Sequence, residues 1–205
     1  MRNGRLGALS GAAGVVLAVL ASVLFNFYEY LPSGETIAEH LADNATRIQA
    51  GGYLGVIAAF LLLWFAGTVK ALMRPRDGDG RLTTIAVGGT ITAAVGIALT
   101  FGLIIAAAAR AGSDGGIGTA EALTLYDVYG TVFVSIGSVG LAALVMAFSV
   151  LALRTGLATK WVAWVGVIVA LGSISPLAYI FFSFSFAFVI GISVWAYMKA
   201  PRAVM

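Results

Sequence analysis

The chain has 205 residues, of which 60% are hydrophobic and only 10% charged, with a formal net charge of +3. A soluble domain carries roughly a quarter charged residues, so a chain this apolar cannot cover itself with polar groups in water, and its solvent is lipid. The absence of cysteine excludes disulfides and Cys-ligated metals, and a single histidine, His40, excludes a multi-histidine metal site.

The first apolar run follows Arg2 and Arg5 and extends over about 6–28. It is too long for the apolar core of a secretory signal, and no small-residue cleavage site follows it, so it reads as a retained membrane helix. Within it, Gly7-x-x-x-Gly11 lets a neighbouring backbone approach closely. Pro32 stops this helix. Ser33 then caps a short external helix, with Glu35 in its first turn. Ile37, Leu41 and Ile48 recur at helical spacing between polar residues, the pattern of an amphipathic helix lying on a membrane surface. It runs almost directly into the second membrane helix, about 51–73, where Gly51, Gly55 and Ala59 form a small-residue stripe.

Pro75 and Asp77-Gly-Asp-Gly80 end that helix. Asp77-x-Asp79 has the start of a calcium loop, but no glutamate follows at the required distance, so the segment reads as a flexible turn. The third helix spans about 82–110. Gly88, Thr92, Gly96 and Thr100 recur every four residues, and this stripe is expected to press against another helix. A glycine-rich external loop over 111–122 lacks the strand and the Lys-Ser/Thr of a phosphate-binding loop. The fourth helix spans about 123–153 and carries Asp127, Thr131, Ser135 and Ser138 along one face. The last apolar stretch, 161–197, is too long for one helix. Pro176 splits it into a short fifth helix, about 161–174, and a sixth, about 179–197.

Charge orients this layout. Ten of the twelve basic residues fall on one side: Arg2, Arg5, Lys70, Arg74, Arg76, Arg81, Arg154, Lys160, Lys199 and Arg202. Only Arg47 and Arg110 fall on the other, and only two acids, Asp77 and Asp79, sit with the basic majority. Basic residues favour the cytoplasmic side of short loops. The expectation is an all-α, single-domain bundle over 1–205, with six transmembrane helices, a short external amphipathic helix between the first two, and both termini cytoplasmic in the cell membrane.

No charged residue lies near the middle of a helix, which argues against ion-coupled transporters and proton pumps. No nucleophile elbow, zincin motif or P-loop is present. The remaining chemistry is an outer polar rim of Asn26, Glu29, His40, Arg47, Tyr126 and Asp127. Asp127 ranks first among these, because it opens the polar stripe of the fourth helix. No residue is assigned a catalytic role, and no metal or cofactor is expected.

Pro32-Ser-Gly-Glu-Thr-Ile-Ala-Glu39, Asn44-Ala-Thr-Arg47, Tyr53-Leu-Gly-x-Ile-Ala-Ala59, Leu63-Trp-Phe65 and the basic exit resemble a family of small bacterial multi-pass membrane proteins classed as a domain of unknown function. The resemblance is carried by residues 32–81. It implies a membrane location and transfers no catalytic residue. Two function classes follow. One is a non-enzymatic accessory, sensory or partner-binding membrane protein. The other is a small lipid-modifying or cyclising enzyme using Asp127 and Glu29 as acid–base carboxylates. The expected partner is the bilayer, with another membrane protein or a small lipophilic ligand as further candidates. The basic residues lie at the ends of apolar runs rather than on a soluble face, so nucleic acid is not expected.

Overall fold

A computed structural model describes residues 3–25 and 33–199, and all the regular structure in them is helical. The helices are α1 (Asn3–Phe25), α2 (Gly34–Asp43), α3 (Ala45–Met73), α4 (Arg81–Ala111), α5 (Thr119–Val132), α6 (Ser138–Thr155), α7 (Lys160–Ser173) and α8 (Ala178–Lys199). A π-helical turn, Phe133–Gly137, joins α5 to α6 as one continuous stretch. Five stretches are long and apolar enough to cross a membrane: Leu6–Phe25, Ala45–Met73, Arg81–Ala111, Thr119–Thr155 and Ala178–Met198. α7 is the exception. Its 14 residues make roughly 21 Å of helix, against a hydrocarbon core of about 30 Å.

The long helices form a ring. α3 lies between α1 and α4, α4 packs on α5 and α6, α6 carries α7, and α8 closes the ring against α1 and α7. Neighbours run antiparallel, so charge is segregated by end. Lys70, Arg74, Arg76, Arg81, Arg154 and Lys160 occupy one end, here the basic end. Glu35, Glu39, Asp43, Asp114, Glu121 and Asp127 occupy the other, the acidic end, with Arg47 and Arg110. Large apolar side chains such as Val16, Phe60, Leu99 and Ile168 face outward all round the ring. A water-facing surface does not tolerate so much contiguous apolar area.

Inside, Leu62, Phe65, Ile97, Leu141 and Leu144 belong to one buried cluster. Because lipid is as apolar as this core, close packing rather than water exclusion holds the helices together. Glycines make that packing possible. Gly7 and Gly11 of α1 lie against Thr68 and Phe65 of α3, and Gly51 of α3 lies against the backbone of Ala21 in α1. A close backbone crossing joins α4 to α6 and to the π-helical turn before it. A Cβ on Gly89 would lie 2.6 Å from the carbonyl oxygen of Gly140, and one on Gly96 would lie 2.7 Å from the backbone nitrogen of Gly137.

This crossing corrects the stripe expected on α4. Gly96 and Thr100 are buried, but Gly88 and Thr92 are exposed, and a Cβ on Gly88 would meet nothing within 4 Å. A strict four-residue repeat precesses by about 40° per step on an α-helix, or about 120° over three steps. The face that packs on α6 therefore runs through Gly89, Ala93 and Gly96 instead.

The α3–α4 connection also differs from the flexible turn expected there. Asp77 is buried, and its Oδ2 accepts hydrogen bonds from the Thr83 backbone N–H (2.7 Å) and the Thr83 hydroxyl (2.8 Å). Arg74 donates to the Asp77 carbonyl oxygen at 2.9 Å. Asp79 accepts from the Arg81 backbone N–H at 3.0 Å. Gly80 makes the turn possible with φ +78°, a left-handed conformation that side chains resist. Both carboxylates thus satisfy first-turn donors of α4 that have no partner within the helix. The Thr83 backbone N–H is the main cause that holds the Asp77 carboxyl below its ordinary pKa of 3.8.

Candidate functional site

At the acidic end, α1, α4, α5 and α8 enclose a cavity of about 290 Å³. Tyr126, Tyr129 and Phe133 of α5 form one wall at spacings of three and four, which places them on a single helix face. Phe25 of α1, Phe101 of α4 and Tyr179 of α8 supply the opposing rings. Ser22, Thr100, Ile104 and Gly130 complete the lining. The Thr100 hydroxyl is already satisfied by the Gly96 carbonyl at 2.8 Å. Among the described residues the lining therefore consists mainly of aromatic faces and hydroxyls, with no charged side chain.

The rings are ordered by edge-to-face contacts. Tyr126 meets Tyr129 with centroids 5.2 Å apart, and Tyr129 meets Phe25 at 5.3 Å. Phe25 meets His40 of α2 at 6.2 Å. Such pairs contribute roughly 0.5–1.5 kcal/mol each beyond the area they bury. His40 Nε2 also lies 2.9 Å from the Phe25 carbonyl oxygen, one of the last carbonyls of α1, which lack partners within the helix. α2 forms because Ser33 accepts from the Thr36 backbone N–H, and its buried Ile37 and Leu41 face the bundle. The space beneath it is only about 10 Å³, room for about one water at most. α2 thus seals the flank of the cavity and holds Phe25 through His40.

The π-helical turn lies at the inner end of the α5 wall. Such turns insert one residue into an α-helix and recur at functional sites. Here the turn ends in Gly137, which packs on Gly96, while Phe133 at its start stacks on Phe182 of α8 with centroids 4.4 Å apart. Ser135 donates to the Thr131 carbonyl within its own helix. Of the polar stripe's hydroxyls, that of Ser135 is thus engaged locally, whereas the buried Ser138 hydroxyl has no partner among the described residues.

The residues of the expected polar rim separate in the structure. Tyr126 lines the cavity, and His40 braces it from behind. Asp127, next to Tyr126 in sequence, is exposed and does not line the cavity, and Arg47 is exposed at the start of α3. Asn26 and Glu29 lie outside the described residues. Phe25, Phe101, Phe133 and Tyr179 were not among the expected site residues. The three-and-four spacing of Tyr126, Tyr129 and Phe133 was the available signal, but in sequence it is indistinguishable from an interfacial aromatic belt. Among the described residues, no three His, Asp or Glu side chains converge as metal ligands would.

Compared with family models, with characterised proteins and with solved structures, the chain matches none.

Proposed function

We propose that this chain is a non-enzymatic multi-pass membrane protein that holds a small lipophilic, ring-bearing molecule in the cavity at its acidic end. The observation that carries this reading is the lining. Six aromatic rings surround about 290 Å³, and among the described residues no carboxylate, imidazole or cation lines the space. Small-molecule sites are concave and mostly apolar, with a few polar groups that fix orientation. The hydroxyls of Tyr126, Tyr129 and Tyr179 would take that part. Acid–base catalysis would need a carboxylate within hydrogen-bond reach of the bound molecule, and the exposure of Asp127 favours binding over chemistry.

We further infer six crossings with both termini cytoplasmic. The segregation of basic residues to one end supports that orientation. The short α7 would count as a crossing through its hairpin with α8, whose turn leaves few polar groups bare. Ser175 donates to the Gly172 carbonyl and accepts from the Leu177 backbone N–H, and the Ala178 N–H bonds the Ser175 carbonyl. Ser173 and Ser185 share a buried hydrogen bond at 2.9 Å. Internal satisfaction of this kind is what non-helical backbone needs at membrane depth. α2 would then lie outside, on the outer surface.

The test is extraction in mild detergent followed by mass spectrometry of the co-purifying small molecules. A Cβ on Gly130 would have only the Tyr179 hydroxyl within 4 Å, at 3.9 Å, so Gly130→Leu fills the cavity from a position with room. This variant should fold and lose the retained molecule, whereas Asp127→Asn should keep it. Retention by Gly130→Leu would refute the cavity as the site. Loss in Asp127→Asn with folding intact would restore the acid as a functional residue.

A further inference from the structure

A second concavity lies at the basic end, where α7 and α8 diverge. Near their connecting turn the two helices touch, through Ser173 and Ser185 and through Gly172 and Phe181. Toward the basic end they leave an open groove of about 730 Å³. Phe148 of α6 lines it together with Val162 of α7, Gly191 and Trp195 of α8, and Leu157 in the α6–α7 connection. The lining is overwhelmingly apolar. Arg154 and Lys160 bracket that connection, both exposed, and neither makes an ion pair among the described residues.

The electrostatics of this corner are one-sided. Beyond Asp127 the chain contains no acid at all, but it contains four cations: Arg154, Lys160, Lys199 and Arg202. The two acids elsewhere at the basic end are engaged, Asp77 by Thr83 and Asp79 by Arg81. Arg154 and Lys160 are thus open to an anionic group from another molecule. Shape narrows its class. A helix about 10 Å across fills roughly 420 Å³ per turn, so the groove takes fewer than two turns of a protein helix. A flexible hydrocarbon chain meets no such limit. Trp161 and Trp164 are exposed beside the groove, at the depth where indoles sit among lipid headgroups.

We propose that the α7–α8 groove seats an acyl chain of an anionic phospholipid, with its headgroup phosphate held by Arg154 and Lys160. The positive end of the α7 dipole points the same way. Basic clusters at the cytoplasmic end of membrane helices recognise anionic headgroups in this manner.

The test uses the full chain in mild detergent and native mass spectrometry, with phosphatidylglycerol and phosphatidylcholine of identical acyl chains as probes. Each cation near the headgroup is expected to contribute about fivefold in affinity, so wild type should prefer phosphatidylglycerol by roughly 25-fold. The double variant Arg154→Gln, Lys160→Gln should lose that preference, while Arg110→Gln at the other end should keep it. A Cβ on Gly191 meets nothing within 4 Å, so Gly191→Phe should fold and lose binding of both lipids. If that variant does not fold, Ala187→Leu on the same wall serves instead. Equal binding of the two lipids by wild type would overturn the headgroup assignment. Undiminished binding in the groove-filling variant would overturn the groove. A lipid-free dimer that Gly191→Phe abolishes would show that a second copy of the chain is the occupant.

Discussion

Adjacent glycines on α4 offer a matched pair of perturbations. Gly88 and Gly89 share a helix, a depth and a residue type, but one faces open space and the other faces α6. Alanine at Gly88 adds a methyl group with no neighbour and removes a helix-weakening glycine, a gain of up to about 1 kcal/mol. Alanine at Gly89 would put its Cβ 2.6 Å from the Gly140 carbonyl oxygen, 2.8 Å from the Leu144 backbone nitrogen and 2.9 Å from the Ala143 Cβ. Carbon–oxygen approaches ordinarily stop at about 3.3–3.6 Å, so α4 and α6 must separate by several tenths of an ångström. Two of the three obstructing atoms are backbone and cannot rotate away. Overpacking of this kind costs roughly 1–3 kcal/mol, and separation also weakens the dispersion contacts along the crossing. The propensity gain is common to both positions, so the two substitutions should differ by the overpacking cost of about 1–3 kcal/mol. At roughly 2–4 °C per kcal/mol for a chain of this size, this corresponds to about 2–12 °C in melting temperature. Thermal scans of both variants in the same detergent, at one scan rate, measure the gap. Equal melting temperatures, or Gly88→Ala as the weaker protein, would mean that the packed face of α4 is not the one through Gly89, Ala93 and Gly96.

Three further outcomes follow from other parts of the fold. The Asp77 carboxyl is held below its ordinary pKa of 3.8, so its contribution is complete above that value and is lost as pH falls through the folded pKa. Protection of the amides over residues 74–84 against hydrogen exchange, corrected for the intrinsic pH dependence of exchange, should fall as pH drops below 3.8. Asp77→Asn should flatten that response, and an unchanged acid response would assign it to another group. Cysteine placed at Gly115, where a side chain has room, should react with an impermeant thiol reagent on intact cells, and cysteine at Gly78 should not. Labelling at Gly78 alone would invert the orientation. At the acidic cavity, Tyr129→Phe keeps the edge-to-face contact with Phe25 and removes only a hydroxyl. It should weaken retention of the co-purifying molecule by about five- to tenfold, the worth of one hydrogen bond; an unchanged retained amount would show that this hydroxyl does not orient the ligand.

Much of the architecture was legible before any coordinates. Long apolar runs, the basic residues at their ends and the breaks at Pro32, Pro75 and Pro176 located the helices, because a chain in lipid must close its backbone hydrogen bonds within each segment. Ser33 and Glu35 announced α2, and Ser173, Ser175 and Pro176 announced the turn between α7 and α8. The faces of the helices were not legible. Lipid and core are equally apolar, so a membrane helix carries no strong amphipathic signal to say which side is buried. Gly88 and Gly89 are therefore equivalent in sequence, and the α4 stripe drifted off its true face.

The roles of the acids were not legible either. In sequence Asp77 reads as part of a loose turn, but Thr83 bonds its carboxylate, and Asp127 opens a polar stripe, but Tyr126 and Tyr129, not Asp127, line the cavity. The cavity depends still more on tertiary structure. Phe25, Phe101, Tyr129 and Tyr179 are far apart along the chain and meet only because the ring order brings α1, α4, α5 and α8 to one end. Local sequence determines which segments become helices and how their charges distribute, since hydrogen bonding and solvation act residue by residue. Which rings share a cavity depends on which helices become neighbours, and that order rests on close packing between helices far apart along the chain, such as the glycine-mediated approach of α4 to α6.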